Sequence, residues 1–160
     1  MPTDFLEAAG TNGFIATPFN LLSTELNSLG STDTAVSSVG GTSGVFSQSN
    51  YANAIWAAIY FYSGGSFTPT GSPYIAGWFL FSPDGGSTFE ATASNTALAR
   101  PPDFIIPLLA SAYASGNQAQ ASGIVRVPWW SNKVFVQNNA GVALPSSGNL
   151  IKAAPVAVQY

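Results

Sequence analysis

Few groups in this chain can move a proton near neutral pH. There is no histidine and no cysteine, which removes Ser-His-Asp and Cys-His catalysis, thiolate zinc sites, imidazole metal sites and disulfides. Seven carboxylates remain: Asp4, Glu7, Glu25, Asp33, Asp84, Glu90 and Asp103. Two carboxylates do acid–base work on a glycosidic bond when they face each other across a cleft at roughly 5–9.5 Å. Glu90 and Asp103 are the pair that a sheet can bring together. Asp103 also closes the run Arg100-Pro101-Pro102-Asp103, where a local turn contact with the guanidinium is the simpler use of it. A carboxylate pair needs a tuned environment to be catalytic, and nothing in the sequence demands one. The expectation is a protein with no catalytic residue, no cofactor and no metal site.

The sharpest local pattern is Ser82-Pro83-Asp84-Gly85-Gly86-Ser87-Thr88-Phe89. Asx side chains close turns by bonding to backbone a few residues on, and the flanking runs Tyr74 to Ser82 and Ser87 to Ala91 read as the two strands of a hairpin. The stretch is similar to the Asp-box of sialidases, Ser-x-Asp-x-Gly-x-Thr-Trp, with Phe89 in place of the Trp. What that similarity implies is structural: the Asp accepts backbone N–H groups, and the aromatic packs under the turn. Ser82, Asp84, Gly86, Thr88 and Phe89 are therefore assigned to a structural turn. A sialidase is not implied, because its arginine cluster cannot be built from Arg100 and Arg126 alone.

Aromatics are the other group with binding chemistry. Trp56 and Trp78 sit in apolar runs and are expected in the core with Tyr60, Leu80 and Phe104. Trp129 and Trp130 follow Pro128 with their rings on opposite sides, so at least one is expected at an interface, where Trp is enriched. Phe5 and Phe14, in an N-terminal stretch without a clear period, are further candidate interface residues.

Composition sets the frame for these groups. The chain has 160 residues, four basic and seven acidic, so its formal charge is 4 − 7 = −3, and only 7% of residues are charged against about 25% in ordinary domains. Four cations cannot neutralise a run of phosphates, so no nucleic-acid partner is expected. The longest apolar stretches, such as Ala54 to Tyr62, fall far short of the ~20 residues of a spanning helix. Met1 to Gly10 carries Asp4 and Glu7 and no basic n-region, so neither a signal peptide nor a membrane partner is expected. Hydrophobic residues make up 46%, ample for a core. A surface this poor in charge suits burial against other subunits, since interface cores are depleted in charge and rich in aromatics.

The elements that position these groups are strands. Sixteen glycines and eleven prolines leave little room for helices, and Asn20 to Leu29 is read as a strand despite its i, i+4, i+7 leucines. Asn53 to Tyr62 alternates Trp56, Ala58, Tyr60 and Tyr62 with Ile55, Ala57, Ile59 and Phe61, apolar on both faces as in a strand covered on both sides. Gly44 to Gln48, Tyr74 to Ser82, Phe104 to Leu109, Ala121 to Val127, Val134 to Asn138, Leu150 to Ala153 and Pro155 to Tyr160 follow the same reading, with Pro107 marking an edge. Gly30 to Gly44 and Ala110 to Ser122 read as long loops. Short strands with turn signals every 8–12 residues predict an all-β, single-domain antiparallel β-sandwich. Residues 1–18 are read as an extended N-terminal arm and 19–160 as the sandwich.

Over roughly residues 13–160 the chain resembles the small cement or decoration proteins of tailed-phage capsids. The stretches that carry the resemblance are Gly77-Trp78-Phe79-Leu80-Phe81-Ser82-Pro83-Asp84-Gly85-Gly86, then Arg100-Pro101-Pro102-Asp103-Phe104-Ile105-Ile106-Pro107, and Pro155-Val156-Ala157-Val158-Gln159-Tyr160. It implies a jelly-roll-like sandwich on the outside of the virion, bound to the major capsid protein and clamping neighbouring capsomers. It also implies a homo-oligomer, with a dimer favoured and a trimer possible, and it carries over no catalytic residue. The alternative from the residues themselves is a carbohydrate- or receptor-binding β-sandwich of a tail fibre or secreted enzyme, for which a planar row of exposed aromatics would be the mark.

Overall fold

Alternation with period two drives the fold, because each strand must turn one row of side chains away from water. The structure, a computed structural model, describes residues 18–37, 56–84, 87–113, 119–127 and 132–156. These form eight strands: β1 (Phe19–Leu22), β2 (Thr34–Val36), β3 (Trp56–Tyr62), β4 (Tyr74–Phe81), β5 (Phe104–Pro107), β6 (Ala119–Arg126), β7 (Asn132–Asn139) and β8 (Leu150–Val156). Helical structure among the described residues is a single 3-10 turn at Thr24–Leu26. The strands make two antiparallel sheets, ordered β1-β8-β3-β6 and β2-β7-β4-β5. β1 pairs with β8, β2 with β7, β3 with β6 and β4 with β5. That nesting is what results when one long antiparallel ribbon folds over on itself into a β-sandwich.

The main core lies between the sheets. Ala57, Ile59 and Phe61 of β3 and Ile151 and Ala153 of β8 face Ile75 and Phe79 of β4, Phe104 and Ile106 of β5, and Val134 and Val136 of β7. Gly77 is the gap in the inward row of β4. It pairs in register with Phe104, and a Cβ placed there would run into the Phe104 ring. The missing side chain thus admits an aromatic ring flat against the β4 backbone. Phe79 and Phe104 then meet with ring centroids 5.5 Å apart.

A second, smaller cluster lies on the outer face of the β2-β7-β4-β5 sheet. Ala76, Trp78 and Leu80 of β4 and Phe135 of β7 are buried there, with Val36, Phe89 and Leu98 packed against them. Trp78 and Phe135 are cross-strand partners, with centroids 5.5 Å apart. The 87–103 segment thus serves as a lid of its own chain over the outer face of β4 around Trp78 and Leu80.

Strand directions bring the 23–33, 63–73 and 140–149 connections to one end of the sandwich. Neutral side chains hold this end together. Asn138, fully buried, donates from Nδ2 to the carbonyls of Leu29, Gly30 and Val142 at 2.9, 3.1 and 2.9 Å, and its Oδ1 accepts the Ala140 N–H at 2.9 Å. Asn149 donates to Pro145 O at 2.6 Å and accepts the Gly64 N–H at 3.2 Å. Each closes loops far apart in sequence without burying a charge.

Several sequence expectations are corrected here. Trp56 and Tyr60 are not core residues. They lie half-buried on the outer face of the β1-β8-β3-β6 sheet, because β3 turns Ala57, Ile59 and Phe61 inward. Trp78, Leu80 and Phe104 are buried as expected. Ser87 to Ala91 forms no strand, and the Glu90 N–H returns to β4, donating to Phe81 O at 3.0 Å. β2 lies inside the stretch read as a loop from Gly30, and β6 begins at Ala119 inside the other. Asn20 to Leu29 is a four-residue strand followed by the 3-10 turn, and β8 is one strand where two were expected. Gly44 to Gln48 lies outside the described residues.

The packing gives two stability predictions. Trp78→Ala is expected to cost about 3–5 kcal/mol, and Trp56→Ala much less, read as urea midpoints of the two variants side by side. Asn138→Ala removes the hydrogen-bond partner of the Val142 carbonyl and of the Ala140 N–H, while Leu29 O and Gly30 O keep the N–H groups of Leu144 and Asp33. It is expected to lose at least about 2 kcal/mol, since each buried polar group left unpaired costs about 1–3 kcal/mol, and the same chemical denaturation reads it.

Candidate functional site

The segment from Ser82 to Asp103 brings together most of the residues with chemistry. It begins with the Asp84 turn. Oδ1 of Asp84 accepts the Ser87 N–H at 3.0 Å, the Thr88 N–H at 2.7 Å and the Ser82 hydroxyl at 2.9 Å, while Oδ2 accepts the Thr88 hydroxyl at 2.8 Å. One carboxylate thereby gathers four donors, which favours its charged form. The Thr88 N–H is the largest influence, followed by the Thr88 hydroxyl, and the Asp84 carboxyl is held down at about 2. Phe89 leaves the turn and packs against the Trp78 cluster, with the Lys133 ammonium 4.7 Å from its ring centroid. Gly86 lies outside the described residues.

Glu90 and Asp103 do come together, but through Arg100. The guanidinium lies 3.2 Å from Glu90 Oε2 and 2.8 Å from Asp103 Oδ2, and it donates to Phe79 O at 2.8 Å. Burial pulls the Arg100 pKa down. The bonds to Glu90 and Asp103 outweigh it, so the group sits above its ordinary value. Asp103 Oδ2 also accepts the Phe79 N–H at 2.7 Å, and the Trp78 indole N–H donates to Arg100 O at 3.0 Å. This is the turn contact offered by Arg100-Pro101-Pro102-Asp103, enlarged into a clasp on β4. Both carboxylates are engaged by one cation and neither faces the other across open space.

Beside the clasp runs an open groove of about 430 Å³ lined by Phe81, Pro83, Thr88, Phe89, Glu90 and Arg100. Its lining is mostly apolar, and Arg100 stacks over the exposed Phe81 ring at 5.6 Å. Among the described residues no group of three or more His, Cys, Asp or Glu is placed to hold a metal ion, and no helix is long and apolar enough to cross a membrane.

Aromatics gather elsewhere too. Trp56, Tyr60 and Tyr62 occupy alternate or next-alternate positions on the outer face of β3, beside Lys152, whose ammonium sits 5.0 Å from the Tyr62 centroid. The Tyr60 and Tyr62 rings are 6.4 Å apart and inclined by 46°, so they do not form a flat platform. Among the described residues, Tyr74, Phe81, Ile105, Leu109 and Ile124 are the large apolar side chains left exposed. Sequence reading missed these except as strand residues. The signal was present in Phe104-Ile105-Ile106-Pro107, where one of two adjacent isoleucines must point outward, but no polar residue marked which. The candidate interface residues Phe5, Phe14, Trp129 and Trp130 lie outside the described residues.

No family model, no curated protein and no solved structure matches the chain.

The Asp84 turn carries an acid signature. Its carboxyl is lowered from 3.8 to about 2 on folding, so its contribution to stability is complete above the unfolded value and is lost as pH falls through that interval. Wild type should melt higher than Asp84→Asn at neutral pH, and the gap in Tm should close as pH is lowered from about 4 to about 2. A gap independent of pH would mean that charge at Asp84 is not what closes the turn.

Proposed function

We propose that the chain is a non-catalytic structural protein of a virus particle, a capsid cement or decoration protein that binds the outside of the major capsid shell and stabilises contacts between capsomers. The observation that carries this reading is a β-sandwich, which we read as jelly-roll-like, whose described chemistry is spent on its own architecture. Asp84 closes a turn, Glu90, Arg100 and Asp103 clasp a strand, and Asn138 and Asn149 tie loops. Among the described residues the outward surface is poor in charge and leaves five large apolar side chains exposed, Tyr74, Phe81, Ile105, Leu109 and Ile124, a composition that suits contact with other subunits. Fold alone does not decide between roles, because jelly rolls occur in capsid and in lectin domains alike. The lectin-like alternative is favoured by the aromatic set on the outer face of β3, and opposed by the 46° inclination of its two tyrosine rings.

The test is attachment to shells assembled from the cognate major capsid protein. Purified chain mixed with such shells should sediment with them at a saturating, fixed copy number, and decorated shells should withstand higher temperature than bare ones. Attachment through uncharged surface should change little between low and high salt, since there are few charges to screen. A chain that ignores shells at every salt concentration but is retained on a glycan array would replace this reading with the lectin-like one.

A further inference from the structure

The outer face of the β1-β8-β3-β6 sheet collects the cations that the rest of the molecule does not use. Of the four basic residues, Arg100 is held in the clasp and Lys133 lies against Phe89 on the other sheet. The remaining two are here. Register sets Arg126 of β6 opposite Trp56, and Lys152 of β8 opposite Tyr60, and cross-strand partners share a face. Asn20 of β1 lies on the far side of Lys152. No acid stands at any of these paired positions, and neither Arg126 nor Lys152 is ion-paired with another described residue. The middle of the face is low. Ala58 and Ala154, cross-strand partners that are 7% and 1% exposed, separate Trp56 from Tyr60. Ile124, on the other side of Ala58, is 62% exposed. The face is thus a shallow trough with a ring and a cation on either side, in a chain whose net charge is −3.

We propose that this face is a binding site for an acidic sugar, a pyranose that carries a carboxylate, with Trp56 against the ring and Arg126 on the carboxylate. Charge selects the anion, because both cations of the face lack an acid. A guanidinium takes a carboxylate through two parallel N–H bonds, and an indole pairs a broad apolar surface with one polar N–H, which suits the C–H side of a sugar and one of its hydroxyls. The backbone selects a sugar over a peptide. β3 and β8 are each paired on both sides, so they offer no free N–H or C=O to an extended chain, whose affinity comes from main-chain bonds at an open edge. Contact here is through side chains alone, and a sugar needs nothing more. Tyr60 and Tyr62 are inclined by 46°, so the face takes one sugar on Trp56 and not a run of them on a platform. The inference goes beyond the capsid reading. It gives the molecule a second surface, cationic and aromatic, separate from the uncharged surface assigned to shells.

Titration of the full chain with trigalacturonate and, separately, with galactotriose of the same linkage tests this, read by tryptophan fluorescence and calorimetry. The two probes differ only in their carboxylates. The acidic one should bind at least ~10-fold more tightly at low salt, and its advantage should shrink as salt is raised. Arg126→Gln should abolish the advantage with Tm unchanged, because the position is exposed. Lys133→Gln makes the same change in net charge on the other sheet and should leave the advantage intact. Trp56→Ala should weaken both sugars alike. Equal binding of the two sugars, no binding of either up to roughly 10 mM, or equal loss in Arg126→Gln and Lys133→Gln would each overturn the proposal. So would Arg126-dependent capture of phosphatidylserine vesicles or polyglutamate by a chain that ignores trigalacturonate, which would assign the face to a lipid surface or an acidic peptide. Shell attachment of Arg126→Gln should equal that of wild type. Its loss would give this face to the shell, sinking the sugar site and leaving the capsid role in place.

Discussion

A side-chain pair stands where a strand would otherwise be. β5 accompanies β4 only from Tyr74 to Gly77, and beyond that point the free edge of β4 would expose its N–H and C=O groups to any passing strand. Asp103 takes the Phe79 N–H and Arg100 gives to the Phe79 carbonyl, so the ladder continues in side-chain form. The consequences spread from there. Arg100 is held by Glu90 and its carbonyl receives the Trp78 indole, which fixes the 87–103 segment over the outer face and buries Trp78, Leu80 and Phe135. The Asp84 turn launches that segment in the right direction. Most of the described ionic chemistry of the chain is concentrated in this one seam.

Elsewhere the protein does with amides what other proteins do with ions. Asn138 and Asn149 sit in fully buried positions and satisfy backbone groups from three loops. Neutral donors cost far less to desolvate than a buried ion pair, and they hold the loop end of the sandwich with no dependence on pH. The other sheet edges are handled by geometry. β1 and β2 are four and three residues long. β6 carries a bulge in which it advances from Ala121 to Ile124 while β3 moves only from Tyr60 to Ala58, with Gly123 supplying the positive φ of +82°. Short, bulged edges discourage strand-to-strand aggregation.

Much of the fold was legible because alternation is strong where strands are central. β3 and β4 are evident from their residues, and the all-β sandwich follows from them. Alternation in β3, however, is apolar on both faces, and the sequence has no means of saying that Ala57, Ile59 and Phe61 point inward and Trp56 and Tyr60 outward. The smaller side chains won the core because the facing sheet supplies Phe79 and Phe104, which fill the space. β2 was hidden because Thr34–Val36 is held by pairing with β7 and not by composition. The Asp84 turn was legible, since its bonds are local, but the Arg100 clasp reached Phe79 and Glu90 across a distance that spacing alone does not reveal. The exposure of Tyr74 and Ile105 was illegible for the same reason, because no neighbouring residue in sequence marks where the cover on the outer face stops.

The nesting of the strands has a mechanical side. β1 and β8 lie side by side and antiparallel, with Phe19 opposite Ala153, so both outer strands of the ribbon end at the same edge of the molecule. Tension applied between residues 19 and 156 would open this ladder from one end, one rung after another, and not load all rungs in parallel. Such a zipper geometry yields at low force even in a thermally stable domain. Load placed between residues 19 and 156 therefore meets the rungs of the β1–β8 ladder one at a time.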